Sequence, residues 1–136
     1  MAKKFLLPTL FACALIVFSA IRTRNACAAE LIMFERAGCP WCQAFDREIA
    51  PVYPLTAEGK RAPLRRLDVS ASLPPDLAFI VKERLTPVFV LVENGREIDR
   101  IRGYPGDNHF WGLLGAMIER LDQEATRPQK PLQVVN

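Results

Sequence analysis

The chain is poor in the residues on which most catalytic chemistry depends. Its 136 residues hold one histidine, His109, and four cysteines, of which Cys13 and Cys27 lie in an N-terminal apolar segment. Cys39 and Cys42 are the thiols left to the rest of the chain. A structural zinc site needs four ligands, and two cysteines with one histidine do not supply them, which argues against metal. The same shortage excludes the disulfide framework of a small stapled domain. No Gly-rich phosphate loop, repeat or low-complexity segment is present. Excess charge is missing as well: residues 1–29 carry Lys3, Lys4, Arg22 and Arg24 without an acid, leaving 14 basic against 15 acidic side chains beyond them. No net basic field remains for nucleic acid, and Arg65-Arg66 reads as a solvated strand face. His109 has no nucleophile near it in sequence and reads as a first-turn helix residue.

What is present begins with an export signal. Lys3 and Lys4 precede an acid-free apolar run, Phe5 to Ile21, that ends in Ala26-Cys27-Ala28-Ala29. A charged start, an apolar stretch and an A-x-A-like site predict a signal peptide over 1–29, cleaved after Ala28 or Ala29 and leading to the periplasm. The run approaches the ~18 residues of a membrane span, so an uncleaved anchor is the alternative, with Pro8 and the shortness against it. Lipidation at Cys27 is disfavoured by Arg24, which stands where an apolar residue is expected.

The chemistry concentrates in Gly38-Cys39-Pro40-Trp41-Cys42. An apolar run, Leu31 to Phe34, leads into it, and Phe45 and Ile49 follow at helical spacing. This predicts a strand, then two thiols at a helix start, with Cys39 at the N-cap and Pro40 at the first helical position. A sulfur there faces unpaired N–H groups and the positive end of the helix dipole, which favour thiolate. Its pKa is expected to fall from ~8.5 into the ~3.5–7.5 range of activated cysteines. Cys42, one turn further on, is within reach to close a disulfide. A purely structural disulfide is the weaker reading, because so short a loop constrains the unfolded chain little.

Beyond this pair, Pro51 and Pro54 must end or kink the helix, and a short helical piece is expected around Thr56 to Lys60 with Gly59 as its stop. Leu64 to Val69 reads as a strand parallel to the first. Ser72 to Pro75 reads as a helix start, with Leu77, Ile80, Val81 and Arg84 near helical spacing and Leu73 and Phe79 available for packing. Thr86-Pro87 then precedes a dense apolar strand, Val88 to Val92. The sequence alone permits a cis bond or a trans proline at the strand start there. Glu93-Asn94-Gly95-Arg96 is a hairpin signal. The returning strand, Glu97 to Arg102, has Ile98 and Ile101 out of alternation, which suggests a bulge. After the loop Gly103-Tyr104-Pro105-Gly106, Asp107 is expected to cap a helix whose stripe is Phe110, Leu113, Leu114, Met117, Ile118 and Leu121.

In order, these elements resemble the thioredoxin fold over residues 30–125: α/β, with a central mixed four-stranded sheet flanked by helices and a flexible tail at 126–136. The resemblance rests jointly on Cys39-Pro40-Trp41-Cys42 after the first strand, Thr86-Pro87 before the third and Gly103 after the fourth. It implies a cis bond at Pro87, a nucleophilic Cys39, a resolving Cys42, and an extended substrate segment pairing with the backbone at Thr86. Pro87 would pack over the disulfide, Trp41 and Gly103 would border that groove, and Pro40 would join them in binding substrate. It implies a monomeric thiol-disulfide oxidoreductase acting on protein thiols and disulfides without cofactor or metal, and supplied with electrons by a membrane thiol-disulfide transporter.

Two departures are informative. Thioredoxins carry a buried Asp six residues before the first active cysteine; here Met33 occupies that position, and Glu35 is a weak substitute. The Pro-Trp dipeptide looks more like glutaredoxin Pro-Tyr than thioredoxin Gly-Pro. The chain has neither the helical insertion of periplasmic oxidases nor the dimerisation domain of isomerases, so a small exported reductase fits best. The Cys-Pro-x-Cys segment, Leu64 to Asp68 and Gly103 to Gly106 look like the thioredoxins of sulfur-oxidation clusters; those of cytochrome c maturation are also similar. A redox-switched peptide-binding module without turnover, or a disulfide oxidase, are the alternatives.

Overall fold

Leu31 to Phe34 is apolar on both sides of the strand, and since successive side chains point to opposite faces, such a run must be covered twice. In the computed structural model, which describes residues 28–126, β1 (Glu30–Glu35) buries all four of these residues. β3 (Val88–Glu93) buries Val88 to Val92 in the same way. The two are central in a sheet of order β2-β1-β3-β4, with β2 (Leu64–Asp68) and β4 (Arg96–Arg102) at the edges. β1 and β2 run parallel, Phe34 opposite Leu67, while β3 is antiparallel to both β1 and β4. Asn94 and Gly95 take the positive φ values, 54° and 72°, that the β3–β4 turn requires. The register slips between Leu91 (opposite Asp99) and Val92 (opposite Glu97), so Ile98 is the extra residue of the expected bulge.

One face of the sheet packs Leu31, Met33, Phe89 and Leu91 against α1 (Pro40–Glu48) and α3 (Asp107–Thr126), through Phe45, Phe110, Leu114, Met117 and Leu121. The other packs Ile32, Phe34, Val88, Val90 and Val92 against Leu77 and Ile80. Aromatic rings knit the first face. Phe45 lies 4.8 Å from Phe89 and 5.3 Å from Phe110 between centroids, both inclined rather than stacked.

Several expectations need correction. The helix expected after Ser72 is a single 3-10 turn, Pro75–Leu77, followed by irregular chain to Thr86. Leu77 and Ile80 reach the sheet from it, but Val81 is 75% exposed and Phe79 39%, so no stripe is buried along a helix axis. Side-chain cations pin this region to the rest of the chain: its Lys82 Nζ donates to Val69 O and Ala71 O, and Arg100 donates to Val81 O. Gly59 is not a stop but sits inside α2 (Ala57–Arg61), pressed on the Tyr53 carbonyl. Asp107 is the first residue of α3 rather than its cap; the Gly106 carbonyl accepts the Phe110 N–H at 2.9 Å. Leu113, expected in the apolar stripe, is 47% exposed. The expected signal peptide, apart from Ala28 and Ala29, and the tail beyond Thr126 lie outside the described residues.

Candidate active site

β1 delivers the chain to a turn in which Gly38 has φ +76° and the Cys39 N–H reaches back to the Arg36 carbonyl at 3.3 Å. Cys39 is then the N-cap of α1, extended at φ −74° and ψ 112°, with Pro40 filling the position where no N–H is needed. Its sulfur accepts the Cys42 N–H at 3.2 Å, one of the orphan donors of the helix start. No acid stands in the first turn and Arg47 stands in the last, so the positive helix end at Cys39 is not neutralised by its own residues. The two sulfurs are joined in a disulfide with Cα atoms 5.3 Å apart, and both cysteines are nearly covered, 6% and 4% exposed.

The irregular chain before β3 supplies the opposite wall. The Thr86–Pro87 bond is cis, and the Thr86 carbonyl lies 3.5 Å from Cys39 Sγ. In the disulfide that sulfur has no proton to give, so the contact is a close approach; in the dithiol the same carbonyl can accept the thiol hydrogen. Two influences on a reduced Cys39 therefore oppose each other. The Cys42 N–H favours thiolate and the Thr86 carbonyl favours thiol. Pro87 is buried, and its carbonyl accepts the Gly103 N–H at 2.8 Å, with Gly103 at φ +81°. The fold thus brings Cys39, Cys42, Thr86, Pro87 and Gly103 together. Pro40 is exposed, and Trp41 stands out from the first turn at 61% exposure, a large apolar surface beside the sulfurs.

Against the other side of the pair lies a cleft of about 430 Å³ lined by Cys39, Cys42, Glu35, Asp46, Arg66 and Asp68, among others. Arg66 organises it, donating to both Glu35 carboxylate oxygens and to Asp46 Oδ1 at 2.7 Å. These hydrogen bonds, Glu35 first, raise the guanidinium pKa further above its usual value. Arg66 is therefore no solvated strand residue but a tie between β1, β2 and α1. Parallel register, which sets Met33 beside Arg66, could have signalled this; sequence spacing did not. Met33 itself is fully buried beneath the cysteines, in the same apolar cluster.

His109 is exposed in the first turn of α3, as expected. Phe110 is core, and Trp111 is half-buried, stacked on Tyr53 at 6.1 Å. Among the described residues no three of His, Cys, Asp and Glu gather as metal ligands would, and no helix is long and apolar enough to cross a membrane.

No protein-family profile matches the chain, and no curated protein matches it closely enough to count as a relative. Solved structures do match. The periplasmic thioredoxin SoxS from Paracoccus pantotrophus, crystallised in its reduced form, is 44% identical and aligns over 68% of this chain and 98% of its own, with a TM-score of 0.66. A thioredoxin of Malassezia sympodialis is 26% identical over 68% of this chain and 77% of its own, with a TM-score of 0.49. The mixed sheet, the bonded Cys39–Cys42 pair at the head of α1, and identity along almost the full length of a periplasmic thioredoxin lead to one assignment. This chain belongs to the thioredoxin family and is a thiol-disulfide oxidoreductase.

Proposed function

We propose that the protein is a monomeric periplasmic reductase of protein disulfides or mixed disulfides, with Cys39 as nucleophile and Cys42 as resolving thiol. One observation carries this reading: the Cys42 N–H points at Cys39 Sγ from 3.2 Å at an acid-free helix start, where a thiolate would be held and its partner is within bonding range. In the reduced protein the Cys39 thiolate attacks one sulfur of a substrate disulfide. That bond breaks, a mixed disulfide forms, and the departing sulfur takes up a proton. Cys42 then loses its proton and attacks Cys39 Sγ, which releases the second substrate thiol and leaves the Cys39–Cys42 disulfide. The substrate gains two electrons and the pair loses two, so an external dithiol donor, such as a membrane thiol-disulfide transporter, must reduce it again.

An extended substrate segment would lie along Thr86, whose backbone makes no backbone–backbone hydrogen bond among the described residues. Trp41 and Gly103 would border it. The reductase direction is supported by the short connections of the chain and by its likeness to a thioredoxin that is itself periplasmic. The same likeness favours service to a sulfur-oxidation pathway over cytochrome c maturation.

The test is trapping in the periplasm. Cys42→Ser should accumulate a mixed disulfide with the natural partner, and Cys39→Ser should abolish both trapping and disulfide reduction. A reduction potential near ~−120 mV rather than below ~−200 mV would replace the reductase by an oxidase. Unchanged partner binding by the double Cys→Ser variant, with no turnover by the wild type, would replace the enzyme by a binding module.

A further inference from the structure

The chain from Val81 to Leu85 leads directly into Thr86, yet it forms neither helix nor strand. Burial does not hold it: Leu77 and Ile80 are its last core residues, while Val81 and Leu85 are 75% and 46% exposed. Charged side chains do. Lys82 Nζ donates to Val69 O at 3.0 Å and Ala71 O at 2.5 Å, fastening the segment to the chain that leaves β2. The Glu83 carboxylate accepts from Arg100 Nη1 at 2.5 Å and, through both oxygens, from Arg102 Nε at 3.0 and 2.9 Å. Arg100 is itself largely covered, its side chain 11% exposed, and it also donates to Val81 O at 3.2 Å.

Both arginines belong to β4. Arg102 lies opposite Val88 and precedes Gly103, the residue whose N–H holds the Pro87 carbonyl. The two sides of Thr86 are thus fastened to β4 and the residue that follows it: Val81 and Glu83 upstream to Arg100 and Arg102, Pro87 downstream to Gly103. The pairing with Arg102, and then with Arg100, also keeps the Glu83 carboxyl below its usual range.

We infer that Lys82 and Glu83 are positioning residues that hold the Thr86 backbone in the pose an incoming substrate strand needs. A loop ordered beforehand does not have to be ordered by the substrate, so the fastening appears in affinity rather than in the chemical step. This rests on the reading that substrate pairs with Thr86.

The experiment compares two disulfide substrates: a short peptide disulfide and a small aromatic disulfide without a peptide backbone. Glu83→Ala should raise KM for the peptide about tenfold, through loss of its charge-assisted contacts with Arg100 and Arg102, with kcat unchanged and the aromatic disulfide reduced at the wild-type rate. Lys82→Met, which keeps the apolar stem, should show the same split. An equal loss on both substrates, or no loss on either, would overturn the inference. A peptide N-methylated beside its cysteine tests the reading beneath it. If wild type reduces that peptide as well as the parent, strand pairing at Thr86 is wrong whatever the variants do. If it discriminates while the variants show no KM split, the pairing stands and the positioning role is wrong.

Discussion

Replacing Phe45 by Ala should cost this protein a large part of its stability, and the size of the loss tests how α1 is held beneath the cysteines. Phe45 follows Cys42 by three residues on the inward face of α1 and is fully buried. Its ring meets Phe89 at 4.8 Å, Phe110 at 5.3 Å and Tyr104 at 5.9 Å. Truncating a buried Phe costs about 3–5 kcal/mol, and each inclined aromatic pair contributes about 0.5–1.5 kcal/mol beyond its area, so the upper part of that range applies. In a domain of this size each kcal/mol moves Tm by about 4–8 °C, so the midpoint should fall by roughly 15–40 °C. Leu113→Ala supplies the control, since Leu113 shares the periodic stripe of α3 but is half exposed, and should cost no more than about 0.5 kcal/mol. Urea denaturation of both variants in their reduced forms measures the two losses. A Phe45→Ala loss under about 1.5 kcal/mol, or a Leu113→Ala loss of the same size as it, would refute this account of the core.

Gly59→Ala should destabilise although it lies in a helix. A Cβ there would stand 1.9 Å from the Tyr53 carbonyl oxygen, and backbone overlap of about 3 kcal/mol or more outweighs the ~1 kcal/mol by which Ala exceeds Gly in helix preference; equal or raised stability in urea would contradict this. Alkaline unfolding should report the two tyrosines. Burial, then the charge of Glu58, raises Tyr53; burial, then the hydrogen bond to Glu48, raises Tyr104. Their folded pKa values lie above the unfolded value near ~10, so the stability they contribute is complete below that pH and is lost as pH rises through the folded values. Tyr104→Phe should flatten that loss in a stability profile between neutral and strongly alkaline pH, and an unchanged slope would rule it out. If the N-terminal segment is the export signal proposed from its sequence, N-terminal sequencing of the periplasmic protein should begin at Ala29, because cleavage after it would remove a residue fully buried in the core. A chain beginning at Glu30 would show that this contact is dispensable.

The order of elements and the redox pair were readable along the chain because they depend on local physics. The continuous apolar runs of β1 and β3, the Asn-Gly turn, the proline behind Cys39 and the spacing of the thiols act over a few residues each. The segment from Ser72 to Leu85 was not readable in this way. Its apolar residues fall near a helical period, but Lys82 and Arg100 hold carbonyls from distant parts of the chain, and Val81 and Leu85 are left in solvent. Gly59 looked like punctuation because sequence does not show the Tyr53 carbonyl against it.

By itself, then, the sequence determined that a dithiol stands at a helix start inside an α/β frame, since capping, proline geometry and strand patterning need only neighbours. Tertiary structure alone decided what faces that dithiol, the Thr86 carbonyl at 3.5 Å from Cys39 and the Glu35–Arg66–Asp46 tie beside Cys42, and what holds the chain leading to Thr86, the Glu83 bridge to β4. These groups lie 47, 31, 20 and 17 to 19 residues apart in the chain, and only the sheet order β2-β1-β3-β4 brings them within hydrogen-bonding distance. Contacts at that range depend on register and packing, which no local pattern encodes.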